Sequence, residues 1–446
     1  MKKLTLKIFN FVLAAALLLT GTGCTGGYGG NSEDTASGSD TPLVAPTLDS
    51  TTDCSIANMD RNNMLGLCEL PIEFGGGSTE EETTIDFVAD TCEAFGAKSF
   101  RVWMHLNMIF KRAEDSDELF FKEDAIEKYH EYFRLLTEAG VEQILVMNHQ
   151  FIKPWDYYDQ TSQCMPDPWG GEYDYYVRTL RIYEQAYIMM QTEFPEITYW
   201  EVGNELEAVQ FLHKGGWVSG SSDKRFTVDE LAHITADLSW YANRGLKSVD
   251  PASVTLFPGS SAQKIVPQFI RTVYSKIAES KCVPTGEPFY DPDPDHYFQI
   301  MAWHPYAHKD TDAIMRQSDE IYSIMQEYGD GDKKVWFTEC GFSNSEHADD
   351  ETMLEKYTYY LDEIAERSYV ETIFIFRITN LWDYKENALE MNYGIMYAQV
   401  DAEKHGAPKY QAIAIYKWFY GANADVSPET SPLYWYYRKV TQETEE

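Results

Sequence analysis

Two glutamates in this 446-residue chain end short apolar runs and lie 134 residues apart. Glu205 ends residues 199–205 (YWEVGNE), and Glu339 ends residues 335–339 (VWFTE). Cleavage of a glycosidic bond requires one carboxyl group that protonates the leaving oxygen and a second that attacks the anomeric carbon or activates water. Because glutamates this far apart in sequence cannot pair locally, the fold must bring them together.

The surroundings of these two glutamates decide how they are interpreted, since a lone glutamate at a strand end is most often solvated or caps a helix. Asn204 directly precedes Glu205, and the approach to Glu339 is rich in aromatic residues. A third run ends in a His-Pro-Tyr sequence, His304 to Tyr306. A structural role leaves all three features unexplained, so they favour a shared site.

The elements that must position these residues follow a repeating pattern. From about residue 64, short apolar runs alternate with amphipathic helical stretches, which is typical of βα units around a parallel sheet. We predict an α/β fold that forms a single (β/α)8 TIM barrel, with a doubly wound sheet as the weaker alternative. The eight predicted strands are residues 64–69, 99–104, 143–148, 198–204, 253–258, 298–304, 335–339 and 372–377.

A barrel of this kind carries its chemistry at the carboxyl ends of its strands. Polar residues accumulate there in the predicted strands: Glu69, Asn148, His149, Asn204, Glu205, His304, Glu339 and residues 380–382. Glu201 lies four residues before Glu205 with its side chain predicted to point into the barrel, where we expect an ion pair with an arginine. Glu69 is a weaker candidate for the site.

The strand order and these motifs resemble the clan A glycoside hydrolases, the retaining (β/α)8 enzymes that include families five and thirty-nine. The resemblance covers roughly residues 60–425. It implies that Glu205, in an Asn-Glu pair at strand four, is the acid/base and that Glu339, at strand seven, is the nucleophile. The chain has Gly-Asn-Glu-Leu where family thirty-nine has Trp-Asn-Glu-Pro, so the family within the clan stays open.

The same resemblance implies roles for six further residues. Asn204 would hydrogen-bond the sugar 2-hydroxyl, Arg101 would lie close to the nucleophile, and Tyr306 would hold Glu339 in position. His149 and His304 would line the subsite where the bond breaks, and Trp382 would stack under the sugar ring.

A retaining mechanism sets physical requirements for the two carboxyl groups. They must lie about 5 Å apart, and the acid must keep its proton near neutral pH. We expect the charge of Glu339 and desolvation by aromatic walls to raise the pKa of Glu205.

Composition narrows the class of partner. The formal net charge is −36, and a field of that sign repels nucleic acid and other polyanions. No GxSxG elbow is present, which argues against a serine hydrolase, and no Gly-rich phosphate loop is present, so we expect no nucleotide cofactor. Residues 291–295 (DPDPD) contain prolines and lack a ligand-spaced partner, and the cysteines show no CxxC spacing, so we expect a solvated turn and no metal. The expected partner is a carbohydrate, an oligosaccharide or a polysaccharide.

The N-terminal residues resemble an export signal. Residues 1–24 combine a basic start, a short apolar run and a lipobox-like end at Cys24, which we expect to be a lipid anchor; ordinary cleavage is the alternative. Residues 25–55 are rich in Gly, Ser, Thr and Asp and predict a flexible tether at the bacterial cell surface. Residues 56–446 would then form the barrel with a C-terminal extension, and the pairing of its six cysteines stays open.

Three functions compete at this stage. The first is a retaining hydrolase of a neutral, β-linked glycan such as a β-glucan, mannan or xylan. The second is an exo-acting glycosidase of the arabinofuranosidase or xylosidase type. The third is a non-catalytic glycan-binding or solute-binding lipoprotein. Aromatic residues in the loop after strand three, among them Trp155, Tyr157, Tyr158 and Trp169, predict an exposed platform for sugar rings.

Overall fold

Across the residues that the structure describes, the protein forms a closed barrel of eight parallel strands, with eight helices of eleven residues or more around it. The computed structural model describes residues 64–69, 83–219, 224–280, 291–307, 310–343, 352–379, 392–397 and 404–443. The strands are β1 (Leu65–Cys68), β2 (Ser99–Trp103), β3 (Gln143–Asn148), β4 (Tyr199–Val202), β5 (Val254–Leu256), β6 (Met301–Trp303), β7 (Val335–Cys340) and β8 (Val370–Phe376). The helices are α1 (Ile85–Phe95), α2 (Glu123–Glu138), α3 (Tyr173–Glu193), α4 (Val228–Val249), α5 (Val266–Glu279), α6 (Thr311–Glu327), α7 (Thr352–Ala365), α8 (Tyr410–Tyr420) and the C-terminal α9 (Trp435–Glu443).

The order of the strands closes the barrel and excludes the doubly wound alternative. Hydrogen-bonded neighbours run β6-β7-β8-β1-β2-β3-β4-β5, and every pair is parallel. Single parallel bridges, Leu256 to Ile300 and Ser260 to Trp303, join β5 to β6. The (β/α)8 prediction is therefore confirmed; β3 matches its predicted range, and the other seven strands differ from theirs by one to three residues at one or both ends.

Two apolar cores lie on either side of the sheet. A small inner cluster fills the barrel with side chains such as Trp103, Leu145, Trp336 and Phe374. A much larger cluster packs the outer faces of the strands against the helices. This alternation of inner and outer residues is what points the polar side chains at strand ends into or away from the barrel mouth.

Capping explains where several helices begin. Thr84 accepts a hydrogen bond from the backbone N–H of Phe87 at the start of α1, and the left-handed Gly96 ends that helix. Thr227 and Glu230 form a capping box that opens α4.

Short elements shape the loops above the barrel. An antiparallel hairpin, Phe110–Arg112 with Leu119–Phe121, lies between β2 and α2. A parallel pair, Cys164–Met165 with His213–Lys214, ties the loop after β3 to the loop after β4. These two long loops therefore stand together as one wall of the barrel mouth.

The remaining expectations on chain organisation meet the structure only in part. The predicted signal, Cys24, the tether and Trp382 lie outside the described residues. Four of the six cysteines, Cys68, Cys92, Cys164 and Cys340, are buried free thiols, and the other two are outside the described ranges. Within those ranges no helix is both long enough and apolar enough to cross a bilayer.

Candidate active site

A bulge in β7 turns Glu339 towards the barrel mouth. Phe337 pairs with Ile373 of β8, and Cys340, three residues later, pairs with Ile375, only two residues later, so β7 contains one extra residue here. Phe337 and Cys340 both pack in the outer core. The residues between them, Thr338 and Glu339, both bond to side chains inside the barrel mouth. Strict alternation would have placed Glu339 on the same face as Phe337.

A strained turn after β4 positions Glu205. Its φ angle is 46°, a left-handed conformation uncommon for a residue with a side chain, and Gly203 before it has φ 102°. The turn is fixed by the N–H of Glu205, which donates to the carbonyl of Gly259 at 2.7 Å. The loops after β4 and β5 thus hold the carboxyl group of Glu205 at the mouth.

Arg101 connects three side chains at the base of the pocket. This fully buried guanidinium donates to Glu201 at 2.5 Å, to Glu339 at 2.5 Å and to the Oδ1 of Asn204 at 2.8 Å. The ion pair expected for Glu201 is therefore confirmed. The fork of a guanidinium suits this task because its several N–H groups diverge in one plane.

Glu339 has both carboxylate oxygens engaged. Oε1 accepts from Arg101, and Oε2 accepts from the hydroxyl of Tyr306 at 2.5 Å. The ring of Tyr306 packs in turn against Tyr393 and Phe376. These two charge-assisted hydrogen bonds hold the carboxylate in one orientation. Arg101 and Tyr306 thus lie beside Glu339, where the sequence analysis expected them.

A chain of hydrogen bonds fixes the tautomer of His304. The hydroxyl of Thr338 donates to Glu201 at 3.0 Å, so it can only accept from the Nε2 of His304, 3.1 Å away. Nε2 therefore carries a proton, and Nδ1 faces the Oε1 of Glu205 at 3.1 Å. When His304 is neutral, Nδ1 accepts a hydrogen bond from the protonated carboxyl group of Glu205; when His304 is charged, Nδ1 donates a hydrogen bond to the Glu205 carboxylate.

The electrostatics separate the two glutamates of the β4 end. Burial, and after it the negative charge of Glu339, raise the pKa of Glu205. The hydrogen bond from His304 lowers this pKa, but the net shift is upward. Burial also raises the pKa of Glu201, but the charge of Arg101 and its hydrogen bonds outweigh that effect and lower it overall. Although burial lowers the pKa of His304, the nearby carboxylates, that of Glu339 foremost, raise it to about 9. Glu205 and His304 thus titrate as a pair.

The pocket wall at β2 and β3 is made of neutral rings. His149 and His105 contact at 4.2 Å between ring centroids, and both contact the indole of Trp103. Burial, followed by nearby positive groups, lowers the pKa of His105 to about 3 and that of His149 well below its usual range. His149 therefore lies in the wall as an uncharged imidazole, and His105 is a neighbour that the sequence reasoning missed.

Two further acids have defined places. Glu69 pairs with Arg377 at 2.5 Å and accepts from the backbone of Thr379, so it is engaged in a buried structural contact. Glu207, two residues after Glu205, accepts from both the N–H and the hydroxyl of Ser261. Burial, and then the charge of Glu205, raise the pKa of Glu207 to about 7. Its spacing from Glu205 was the only signal in the sequence.

One group in the described part of the chain has the composition of a metal site. Glu205, His304 and Glu339 place one ligand atom each within 4.8 Å of one another. However, the Glu339 oxygens already accept from Arg101 and Tyr306, and a cation there would stand beside the buried guanidinium. The donor set thus fits a pair of working carboxyl groups better than a divalent cation.

The aromatic loop after β3 is only partly the exposed platform predicted. Trp155, Tyr158 and Trp169 are 45%, 67% and 37% exposed. Tyr157 is buried instead, because its hydroxyl bonds to Glu172 and its ring packs on Tyr175. The loop therefore divides into residues that hold it together and residues that face solvent.

Comparison with known proteins bears on the fold. No family model and no curated protein matches the sequence. Solved structures match over about four fifths of the chain. A family 39 glycoside hydrolase from the gut symbiont Bacteroides cellulosilyticus WH2 has a TM-score of 0.52 at 14% identity, with 81% of this chain and 64% of that chain covered. A GH5-4 endoglucanase from Clostridium acetobutylicum has a TM-score of 0.51 at 12% identity, with 81% and 99% covered.

A third match is an exo-β-1,4-mannosidase from Opitutaceae bacterium strain TAV5, with a TM-score of 0.50 at 12% identity and 81% and 62% covered. This chain thus spans less than two thirds of the first and third of these proteins. At such identities the matches establish the fold. The chain has the same (β/α)8 barrel fold as these family 39 and family 5 glycoside hydrolases.

Proposed function

We propose that this protein is a retaining glycoside hydrolase that cleaves a neutral, β-linked glycan by double displacement. The observation that carries the proposal is the pair of carboxyl groups at the barrel mouth. Carboxylate oxygens of Glu205 and Glu339 lie within 4.8 Å of each other. Retaining glycosidases place these groups about 5 Å apart, whereas inverting ones need about 6.5–9.5 Å to admit a water molecule.

The first displacement uses the different environments of the two groups. Glu339, held by Arg101 and Tyr306, attacks the anomeric carbon while Glu205 gives its proton to the leaving oxygen. The C–O bond to the leaving group breaks, and an ester bond forms between the sugar and Glu339. The raised pKa of Glu205 supplies the proton at a pH where an ordinary carboxyl group has lost it.

The second displacement reverses the roles. Glu205, now a carboxylate, takes a proton from water, and the resulting hydroxide attacks the anomeric carbon and releases Glu339. Formation of the ester removes the negative charge of Glu339 that raises the pKa of Glu205, so Glu205 can act as a base, and hydrolysis of the ester restores that charge. His304 keeps the Glu205 carboxyl oriented throughout, since its Nε2 is fixed by Thr338.

The substrate and its location rest on sequence. The net charge of −36 favours an uncharged glycan, and the structural neighbours include an endoglucanase and an exo-mannosidase, so both cleavage modes enter the test. Asn204, with its Oδ1 held by Arg101, keeps an amide nitrogen to donate to a sugar hydroxyl. The N-terminal pattern supports export and attachment to the cell surface through Cys24.

The test is sugar release from β-glucan, mannan and xylan and from aryl β-glycosides. We expect wild-type activity on part of this panel and a loss of several orders of magnitude in both Glu205→Gln and Glu339→Gln. Activity that survives in both variants would refute the assignment of the site. A wild-type protein that binds a glycan but releases no sugar would instead support the binding-only function.

A further inference from the structure

A second cleft lies on the outer flank of the barrel. Its volume is about 530 Å³, which is within the range of ligand pockets. It is bounded on one side by the hairpin between β2 and α2 and on the other by α3. The lining combines polar and apolar side chains, among them Asp117, Leu119, Arg178, Arg181, Ile182 and Gln185.

Trp155 belongs to a turn that adjoins this cleft, and its side chain is exposed to solvent. Its backbone N–H donates to Asp117, a lining residue, at 3.0 Å. Arg178 donates two hydrogen bonds to the same Asp117 and also forms an ion pair with Asp156, the residue after Trp155. The turn that carries Trp155 is thereby attached directly to the wall of the cleft.

Hydrogen bonds hold the main chain of the turn that carries Trp155. The side-chain amide of Gln160 donates to the carbonyls of Pro154 and Tyr157, which flank the tryptophan on both sides. Beneath the turn, the buried amine of Lys153 donates to the carbonyls of Phe151 and Thr161. Because these bonds hold the main chain of the turn, little backbone freedom is lost when the exposed ring contacts a ligand.

The chemistry of the cleft indicates the ligand. An exposed indole presents a flat face to the C–H face of a sugar ring, while Arg181 and Gln185 in the lining carry N–H groups that can donate to hydroxyl groups. The two acidic lining residues, Asp117 and Glu118, and the net charge of −36 disfavour a polyanion. In the described chain, none of the lining residues bonds to Glu205, Glu339 or Arg101.

We propose that the cleft beside Trp155 is a second binding site for a neutral oligosaccharide segment, separate from the catalytic pocket. The identity of the polymer rests on the proposed function, but binding at this cleft does not. A chain held here raises the local concentration of glycan near the barrel mouth, as a second linked binding site does.

Trp155→Ala tests the site, with Trp169→Ala as the matched control. Trp169 is a partly exposed tryptophan in the same loop that packs near Phe226 and His233 rather than at the cleft. Binding to insoluble β-glucan, mannan and xylan is measured with each substitution placed in the Glu339→Gln background. Hydrolysis of aryl β-glycosides and of the polymers is measured in the otherwise wild-type protein.

We expect Trp155→Ala to weaken binding to one polymer about tenfold and to raise the KM for that polymer, with aryl glycoside kinetics unchanged. Trp169→Ala should leave both unaffected. The proposal would be overturned if the two substitutions had equal effects or if Trp155→Ala had no effect. It would also be overturned if the protein bound no polymer or if Trp155→Ala lost aryl glycoside activity. Trp155-dependent binding by a protein without hydrolytic activity would support this site and refute the proposed function.

Discussion

Replacement of Glu207 by glutamine tests how a buried carboxyl group changes the free energy of unfolding with pH. One of its oxygens accepts two hydrogen bonds from Ser261, while the other is buried without a hydrogen-bond partner in the described structure. Burial and the nearby charge of Glu205 raise its pKa from 4.5 to about 7. The folded protein therefore holds a proton between pH 4.5 and 7 that the unfolded chain has released.

The direction of the pH effect follows from this difference. Because the folded state binds more protons than the unfolded state in that window, stability falls as the pH rises from 4.5 to 7 and stays low above it. Each unit of pKa difference between the folded and the unfolded state corresponds to about 1.4 kcal/mol, so the free energy of unfolding falls by up to about 3 kcal/mol across this pH range. Glutamine keeps the oxygen that faces Ser261 and cannot ionise, so Glu207→Gln should avoid the loss.

The assay is urea unfolding of wild type and variant at pH 4 and pH 8. We expect the two proteins to agree within about 1 kcal/mol at pH 4 and the variant to be more stable by about 2–3 kcal/mol at pH 8. Glu366→Gln, at a glutamate exposed to solvent, is the control for the loss of one carboxyl group. A difference between Glu207→Gln and wild type that is the same at both pH values would refute the reasoning.

Three further substitutions probe the network around the carboxyl pair. Tyr306→Phe removes a hydrogen bond to the carboxylate of Glu339, and we expect kcat to fall about 10- to 100-fold with an unchanged circular dichroism spectrum; full activity would contradict this. Gly259→Ala places a methyl group 2.2 Å from the Nε2 of His304, so a lower melting temperature and lost activity are expected, and a wild-type melting curve would argue against the packing. Arg101→Met leaves the buried carboxylates of Glu201 and Glu339 without their cation, so the free energy of unfolding, measured in urea at pH 7, should fall by about 3–5 kcal/mol. A smaller loss at pH 7 than at pH 4 would contradict this expectation.

The sequence was sufficient for the barrel and for the identity of the central residues. Apolar runs of strand length at regular spacing predict the eight strands, and the polar residues at their ends predict which side chains share the mouth. The pairing of Glu201 with an arginine also followed from strand alternation.

The local geometry that aims the carboxyl groups could not be predicted in this way. Alternation alone would turn Glu339 outward with Phe337, and only the extra residue in β7 reverses it. The left-handed turn at Glu205 depends on a bond to Gly259 in another loop. Burial of Glu207 likewise depends on Ser261, which is distant in sequence. Such contacts between loops leave no periodic signal along the chain.

The most direct test of the central claim is to trap the sugar on Glu339. The protein is incubated with the 2,4-dinitrophenyl 2-deoxy-2-fluoro-β-glycoside of the sugar that the panel identifies, and its peptides are sequenced by mass spectrometry. We predict one fluorosugar per chain, attached through an ester to Glu339, and no label in Glu339→Gln. A label on another residue, or an active protein that releases product of inverted configuration and takes up no label, would contradict the account.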